Sequence, residues 1–391
     1  ELADHRDNLE AVVEARTQEL RDAVDRLNDH DQARTDFVFN VSHELRTPLT
    51  SMIYTVENIL DGAIGHITDR VRESLNMLND DCRRLKRTVE DILDISRIDT
   101  GRFEMHNVPI SAIRFMNHVV SALAGNAHKS GVSLTSLVET EPLFVLGDPD
   151  KLERSLFNLI QNAIKYSVRG DVIEVRLAMD PTNESRIAYR VTDNGPGIPE
   201  DHLHHVTKRY YRVGDHFEGT GLGLPIVKQL VEHHGGELTI ISPPEDRQKG
   251  TQASILLPIA EAPRILVVDD EELVTKLLHR QLSREGYRVD TCKDGDQALD
   301  KLNEEIPDLI VLDLNMPNMS GVALTSHIKA SAELRHVIIV ALTGGQIDKS
   351  IEEVLEGFAI PLVLKPVQPE ELNRLIESQL LGPYGRKAQS V

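Results

Sequence analysis

Phe39-Asn40-Val41-Ser42-His43-Glu44-Leu45-Arg46-Thr47-Pro48-Leu49 decides how this 391-residue chain is read. Its apolar residues belong to a longer series, Val38, Val41, Leu45, Leu49, Met52, Val56 and Ile59. The series steps by three and four, which is the rhythm of a helix with one apolar stripe, and it slips once between Leu45 and Leu49, across Pro48. His43 lies two residues from both Val41 and Leu45, so it points away from the stripe and into solvent. A neutral imidazole is a competent nucleophile near pH 7. Glu44 is placed to orient the ring or take its proton, and Thr47, one turn on, shares the histidine's face and could position a water. Pro48 cannot donate to the Glu44 carbonyl, so the helix should bend just after the histidine.

Downstream, Val71, Leu75, Leu78, Cys82, Leu85, Val89 and Ile92 repeat the four-three rhythm on a second helix, after the turn Asp61-Gly62-Ala63-Ile64-Gly65. Two helices joined this way form an antiparallel hairpin with too little surface to cover both stripes. Pairing two hairpins in a four-helix bundle covers them, so 36–105 is expected to form a homodimer. Upstream, Val13, Thr17, Leu20, Val24 and Leu27 give residues 1–35 a coiled-coil seam, weakened by polar Thr17; a single solvated helix is the alternative. The chain opens on Glu1 inside this helical pattern, which reads as a fragment with an upstream sensor domain missing.

Beyond the hairpin the pattern is mixed. In 106–260, strand-like runs at 172–178, 186–192, 237–242 and 252–257 alternate with helices near 149–167 and 223–234, an α+β pattern. After a very short joint from Ala260 to Pro263, residues 264–382 alternate strand and helix five times. The strands fall near 264–268, 287–291, 308–312, 337–341 and 361–364, as in a doubly wound five-stranded parallel sheet. The tail 383–391 reads as disordered.

Each of these regions carries polar residues in chemically pointed places. Asn158, Asn162 and Lys165 form one polar stripe on a helix that also bears Leu152, Leu156, Leu159 and Ile164. Such a stripe is commonly a solvated face; two amides and an amine in register also suit hydrated Mg2+ and the phosphates it carries. Asp193-Asn194-Gly195-Pro196-Gly197-Ile198-Pro199 follows a strand, where a carboxylate can accept from an adenine amino group and glycines admit the ring. Gly219-Thr220-Gly221-Leu222-Gly223-Leu224 opens a helix whose free N–H groups favour phosphate. In the last region Asp269 and Asp270 follow the first strand, Asp313 the third, Thr343 ends the fourth and Lys365 the fifth. Parallel strands bring all five to one edge. Three crowded carboxylates repel unless a cation intervenes, so Mg2+ is close to a physical requirement, with Lys365 neutralising phosphoryl oxygens.

Taken together, these strings resemble a hybrid sensor histidine kinase. The box His43-Glu44-Leu45-Arg46-Thr47-Pro48-Leu49 resembles the phosphoacceptor box at every position. The resemblance implies that His43 is phosphorylated, that Glu44 assists, and that Thr47 serves a reverse phosphatase reaction. Residues 106–260 resemble the ATP-binding domain shared with gyrase-type ATPases and Hsp90-type chaperones. By that likeness Asn162 holds Mg2+, Asn158, Lys165 and Tyr166 lie near the nucleotide, Asp193, Gly195 and Gly197 read adenine, and Gly219, Thr220, Gly221, Leu222 and Gly223 anchor a lid over ATP. Thr207-Lys208-Arg209-Tyr210-Tyr211-Arg212 departs from the family by placing Thr and Lys where Phe and Glu are usual, which bears on lid closure. Residues 264–382 resemble a response-regulator receiver, with Asp313 the phosphoacceptor and Asn315 lending its backbone carbonyl to Mg2+ beside Asp269, Asp270 and Asp313. Leu362 stands where the family has an aromatic, which bears on its output switch.

Composition limits the rest. Lys plus Arg is 43 against 63 Asp plus Glu, a net charge of -20, so direct nucleic-acid binding is not expected. Cys82 and Cys292 are the only cysteines, and no apolar run reaches the roughly eighteen residues of a membrane span, so a reducing cytoplasm is the expected compartment. The expected reaction is ATP-dependent autophosphorylation of His43 and transfer to Asp313. A separate histidine phosphotransfer protein or response regulator would follow downstream, since the chain has no second such box. Three other readings stay open: a net phosphatase, a plain ATPase, and a scaffold whose receiver occludes the kinase domain.

Overall fold

The computed structural model describes residues 16–18, 41, 44–63, 65–100, 103–213, 220–317, 319–345 and 348–380. Most of the expected coiled coil, His43, Gly219 and the tail lie outside the described residues; 16–18 are helical. The chain divides into two compact units, Glu1–Glu104 with Arg209–Ile226, and Met105–Lys208 with Val227–Val391.

The first unit holds the hairpin. Helix α1 covers 44–60 and α2 covers Asp69–Asp99. Thr68 caps α2 by accepting from the Val71 N–H, and Asp69 stands favourably in its first turn. Arg72 donates to the Leu60 carbonyl at 3.0 Å, and Arg83 pairs with Glu57, so the last turn of α1 is tied twice to α2. The apolar stripe splits in two. Leu49 and Val56, seven residues apart, are buried, as are Cys82 and Val89. Leu45, Met52, Val71, Leu78 and Leu85, also spaced by sevens, are 44–53% exposed. Covering such a side chain stabilises by about 1.5–3 kcal/mol, so the exposed line is an unsatisfied face of the single chain.

The second unit contains two sheets. In the first, β1 (Val108–Ser111), β2 (Ser133–Val138), β3 (Phe144–Gly147), β4 (Val172–Asp180), β5 (Asn183–Thr192), β6 (Glu237–Ile241) and β7 (Gln252–Ala260) run in the order β1-β3-β7-β5-β4-β2, with β6 also on β7. Alternate residues make its inner face. Leu177 lies opposite Tyr189 and Tyr189 opposite Ile255, and all three are buried. Helices α3 (Ala112–Ser130) and α4 (Pro149–Tyr166) cover that sheet, and α4 buries Leu152, Leu156, Leu159, Ile160, Ala163 and Ile164. Short α5 (Glu200–Leu203) and then α6 (Gly223–His233) follow. No elements were expected in 108–147; β1 and β3 are only four residues long, too short for a period to register, whereas α3 went unread despite its 19 residues.

The second sheet is parallel, in the order β12-β11-β10-β8-β9. Its strands are β8 (Arg264–Val268), β9 (Arg288–Cys292), β10 (Leu309–Asp313), β11 (Ile338–Thr343) and β12 (Leu362–Leu364). They alternate with α7 (Glu272–Arg284), α8 (Gly295–Glu304), α9 (Gly321–Ala330), α10 (Lys349–Gly357) and α11 (Pro369–Leu380). Both faces are covered: Leu266 and Val268 enter one core, Ile265 and Val267 the other. The order reverses direction between β8 and β10, and the crevice at their carboxyl ends is where such sheets bind ligands.

Candidate nucleotide and phosphoacceptor sites

On α4 the buried apolar face turns Asn158 and Asn162 to a half-buried flank and leaves Lys165 exposed, its Nζ 5.0 Å from the centre of the Tyr166 ring. Asn158 Nδ2 is buried and has no hydrogen-bond partner, an orphaned donor that a ligand oxygen would satisfy.

Asp193, one residue past β5, is 8% exposed. Its Oδ1 accepts from the Gly195 N–H at 2.8 Å and the Thr251 N–H at 3.1 Å. Burial pushes this carboxyl above the usual range, against those two donors and the charge of Arg247. Oδ2 is left to accept from outside. Gly250 makes the arrangement possible: at φ +104, a Cβ there would lie 2.1 Å from the Asp193 carbonyl oxygen. Ser242 ties the same loop, donating to the Gly250 carbonyl and accepting from the Ile198 N–H, both at 2.7 Å. Gly250, Thr251 and Ser242 escaped the sequence reading, because a glycine just before a strand reads as an ordinary turn.

In the first unit, Thr220, Gly221 and Leu222 lead into Gly223, where α6 begins, and the Thr220 Oγ1 accepts from the Leu222 N–H at 3.4 Å. Gly221, at φ +71, accepts through its carbonyl from the Tyr210 N–H at 2.9 Å. The altered box contributes an unforeseen ion pair: Arg209 donates to both oxygens of Asp99, at the end of α2, at 2.6 and 2.7 Å. Glu44 and Thr47 are both exposed on α1.

At the carboxyl edge of the parallel sheet, Asp269 and Thr343 are fully buried, Asp313 is nearly so and Asp270 is exposed. One oxygen from each of Asp269, Asp270 and Asp313 lies within 4.8 Å of the others. Lys365 donates to Asp313 Oδ2 at 2.6 Å and pairs with Asp269 Oδ2 at 2.8 Å. Burial alone would lower the lysine's pKa; the two carboxylates outweigh it and hold the ammonium well above its ordinary value. Asp269 is pushed up by burial, against the pull of Lys365. Asn315 donates from its backbone N–H to Asp313 Oδ1 at 3.0 Å and from its amide to Thr343 Oγ1 at 3.2 Å. Gly321 packs closely here, for a Cβ would meet the Asp313 carbonyl at 2.2 Å. Three acids, one of them exposed, with a single lysine leave net negative charge, the donor set a hard divalent cation takes. Leu362, in the place noted for an aromatic, is 36% exposed at the start of β12.

The hairpin, the mixed sheet and the parallel sheet each match a known family. Residues 33–101 match the family described as His Kinase A (phospho-acceptor) domain. Residues 147–261 match the histidine kinase-, DNA gyrase B-, and HSP90-like ATPases, and 265–377 the response regulator receiver domain. The chain thus carries a His Kinase A phosphoacceptor domain, a histidine kinase-type ATPase domain and a receiver domain, the set shared by the hybrid sensor histidine kinases it is similar to. It is 28% identical to the circadian input-output histidine kinase CikA of Synechococcus elongatus, over 95% of this chain and 51% of that protein. To the virulence sensor protein BvgS of Bordetella bronchiseptica it is 31% identical, over 80% of this chain and 27% of that protein. Among solved structures, full-length ShkA in complex with AMPPNP aligns with 88% of this chain and 98% of its own at 18% identity and a TM-score of 0.47. The chain thus spans from about a quarter to about half of these curated relatives' length. No helix among the described residues is long and apolar enough to cross a membrane.

Proposed function

We propose that this chain autophosphorylates on His43 with ATP and passes the phosphoryl group to Asp313. A neutral His43 ring nitrogen attacks the γ-phosphorus in line; the P–N bond forms as the bond to the β–γ bridging oxygen breaks and ADP leaves. Glu44 orients the ring through its other N–H. Asp193 Oδ2 accepts from the adenine amino group, while Asn158, Asn162, Lys165 and Tyr166 flank the phosphates. Gly195 and Gly197 border the base, and Gly219, Thr220, Gly221, Leu222 and Gly223 form the lid. Catalysis is mostly positioning and charge neutralisation.

An Asp313 oxygen then attacks the phosphoramidate. The P–N bond breaks, its electron pair returns to the ring nitrogen to restore the neutral imidazole, and an acyl phosphate remains. Lys365 and the Thr343 hydroxyl meet the transferred oxygens. Mg2+, held by Asp269, Asp270, Asp313 and the Asn315 carbonyl in the receiver and by Asn162 at the nucleotide, would supply charge neutralisation at both sites. The reading divides the chain into a signalling helix 1–35, a dimerising phosphoacceptor hairpin 36–105, an ATP-binding domain 106–260, a receiver 264–382 and a tail 383–391. The homodimer would form on the exposed line of Leu45, Met52, Leu78 and Leu85. The acyl phosphate would leave to a histidine phosphotransfer protein or response regulator, in the cytoplasm.

The observation that carries this reading is the Lys365 contact with both Asp313 and Asp269 in a chain that also holds a phosphoacceptor helix and an ATPase domain. Chemical stability of the label tests it. With γ-labelled ATP, Asp313→Asn should hold acid-labile, base-stable label; loss of all label in that variant would oppose the relay.

A further inference from the structure

At the joint between β7 and β8 the nucleotide-binding domain and the receiver meet in a closed contact. Arg114 of α3 donates from Nε to Glu285 at 3.0 Å, just past α7, and from Nη1 to Glu377 of α11 at 3.2 Å. The guanidinium is half buried, and its two carboxylates outweigh the lowering effect of burial on its pKa. Phe144, the first residue of β3, is 2% exposed, with its ring 5.1 Å from that of Tyr287, itself 5% exposed. Phe144 therefore belongs to the same apolar cluster as Ile265, Leu282 and Ile376 of the receiver. Pro142 closes on Gly286 so tightly that a Cβ there would lie 2.9 Å from it.

Neither functional site is part of this contact. On the receiver it uses Glu285, Gly286 and Tyr287, where β9 begins, whereas Asp313 and Thr343 end their strands at the opposite edge. On the nucleotide domain it uses Phe144, paired with Ala260 at the last residue of β7, whereas Asp193 follows Thr192, paired with Gln252 at the first.

We infer that the nucleotide-binding domain and the receiver are clamped as one rigid body through Arg114, Phe144 and Tyr287, with the Asp193 and Asp313 pockets at its two outer ends. A joint of three residues alone would leave the receiver free to swing; the clamp removes that freedom.

Spin labels on Lys129→Cys in α3 and Ser326→Cys in α9 read the clamp directly in the full chain, since both positions are exposed and the two native cysteines are buried. The distance distribution should be single and narrow, should stay so when a short Gly-Ser insertion lengthens the joint between Glu261 and Ala262, and should broaden in Arg114→Glu. A wild-type distribution as broad as that of Arg114→Glu would overturn the inference, as would broadening by the insertion. If Arg114→Glu does not fold, wild type against the insertion decides alone. The distances do not depend on phosphorylation, so failure of the clamp and failure of the relay are separate results.

Discussion

The Lys365 ammonium donates to Asp313 at 2.6 Å and stands 2.8 Å from Asp269, so one cation ties the end of β12 to the ends of β10 and β8. It occupies the side of Asp313 where the oxygens of an incoming phosphoryl group would gather charge. Lys365→Met should therefore slow transfer from His43 to Asp313 by roughly 10²–10³, the usual cost of losing one preorganised charge partner. Autophosphorylation of His43 should be unchanged, as a time course with phosphohistidine and phosphoaspartate resolved would show.

The acid cluster predicts a metal effect on stability. Mg2+ at about 100 times its Kd should stabilise the receiver by about 2.7 kcal/mol. Asp269→Asn removes a carboxylate that burial already disfavours, so that variant should lose the metal increment without losing metal-free stability. Thermal unfolding with and without Mg2+ checks both statements.

Asp193 predicts an acid limit to nucleotide binding. Its folded pKa is raised, so the ionised acceptor is lost at a higher pH than an ordinary carboxylate would be as pH falls. The same shift means the folded state binds the proton more readily, so this group contributes stability at low pH that is lost as pH rises through its raised pKa. Affinity for a fluorescent ATP analogue should fall on the acid side in wild type and stay flat in Asp193→Asn. That variant should bind about 10- to 100-fold more weakly at neutral pH, the worth of a hydrogen bond to a charged group.

The heptad split in the hairpin predicts its oligomeric state. Leu78 and Leu85 are about half exposed in one chain, so Leu78→Glu with Leu85→Glu should leave the hairpin folded and convert a dimer to a monomer in sedimentation at micromolar concentration. A variant that stays dimeric would place the interface elsewhere.

Much of this fold was legible where a period was long. The four-three rhythm of α1 and α2, the α4 stripe and the five parallel strands appear in the sequence, the strands within a residue or two of their observed limits, whereas the 19-residue α3 does not. Short elements were not: β1 and β3 have too few residues to carry a pattern, yet β3 supplies Phe144. Glycine-rich strings stand out in the sequence because they are local. Thr251 and Gly250, which hold Asp193 from 58 and 57 residues away, do not, since only the β5–β7 pairing brings them there. Arg209 and Arg114 were missed for the same reason: their partners are distant in sequence.

The most direct test follows label from γ-labelled ATP through His43→Gln, Asp313→Asn and wild type. The relay predicts no label on His43→Gln, persistent acid-labile, base-stable label on Asp313→Asn, and passage to a base-labile acyl phosphate in wild type. Label of undiminished amount on His43→Gln would contradict it.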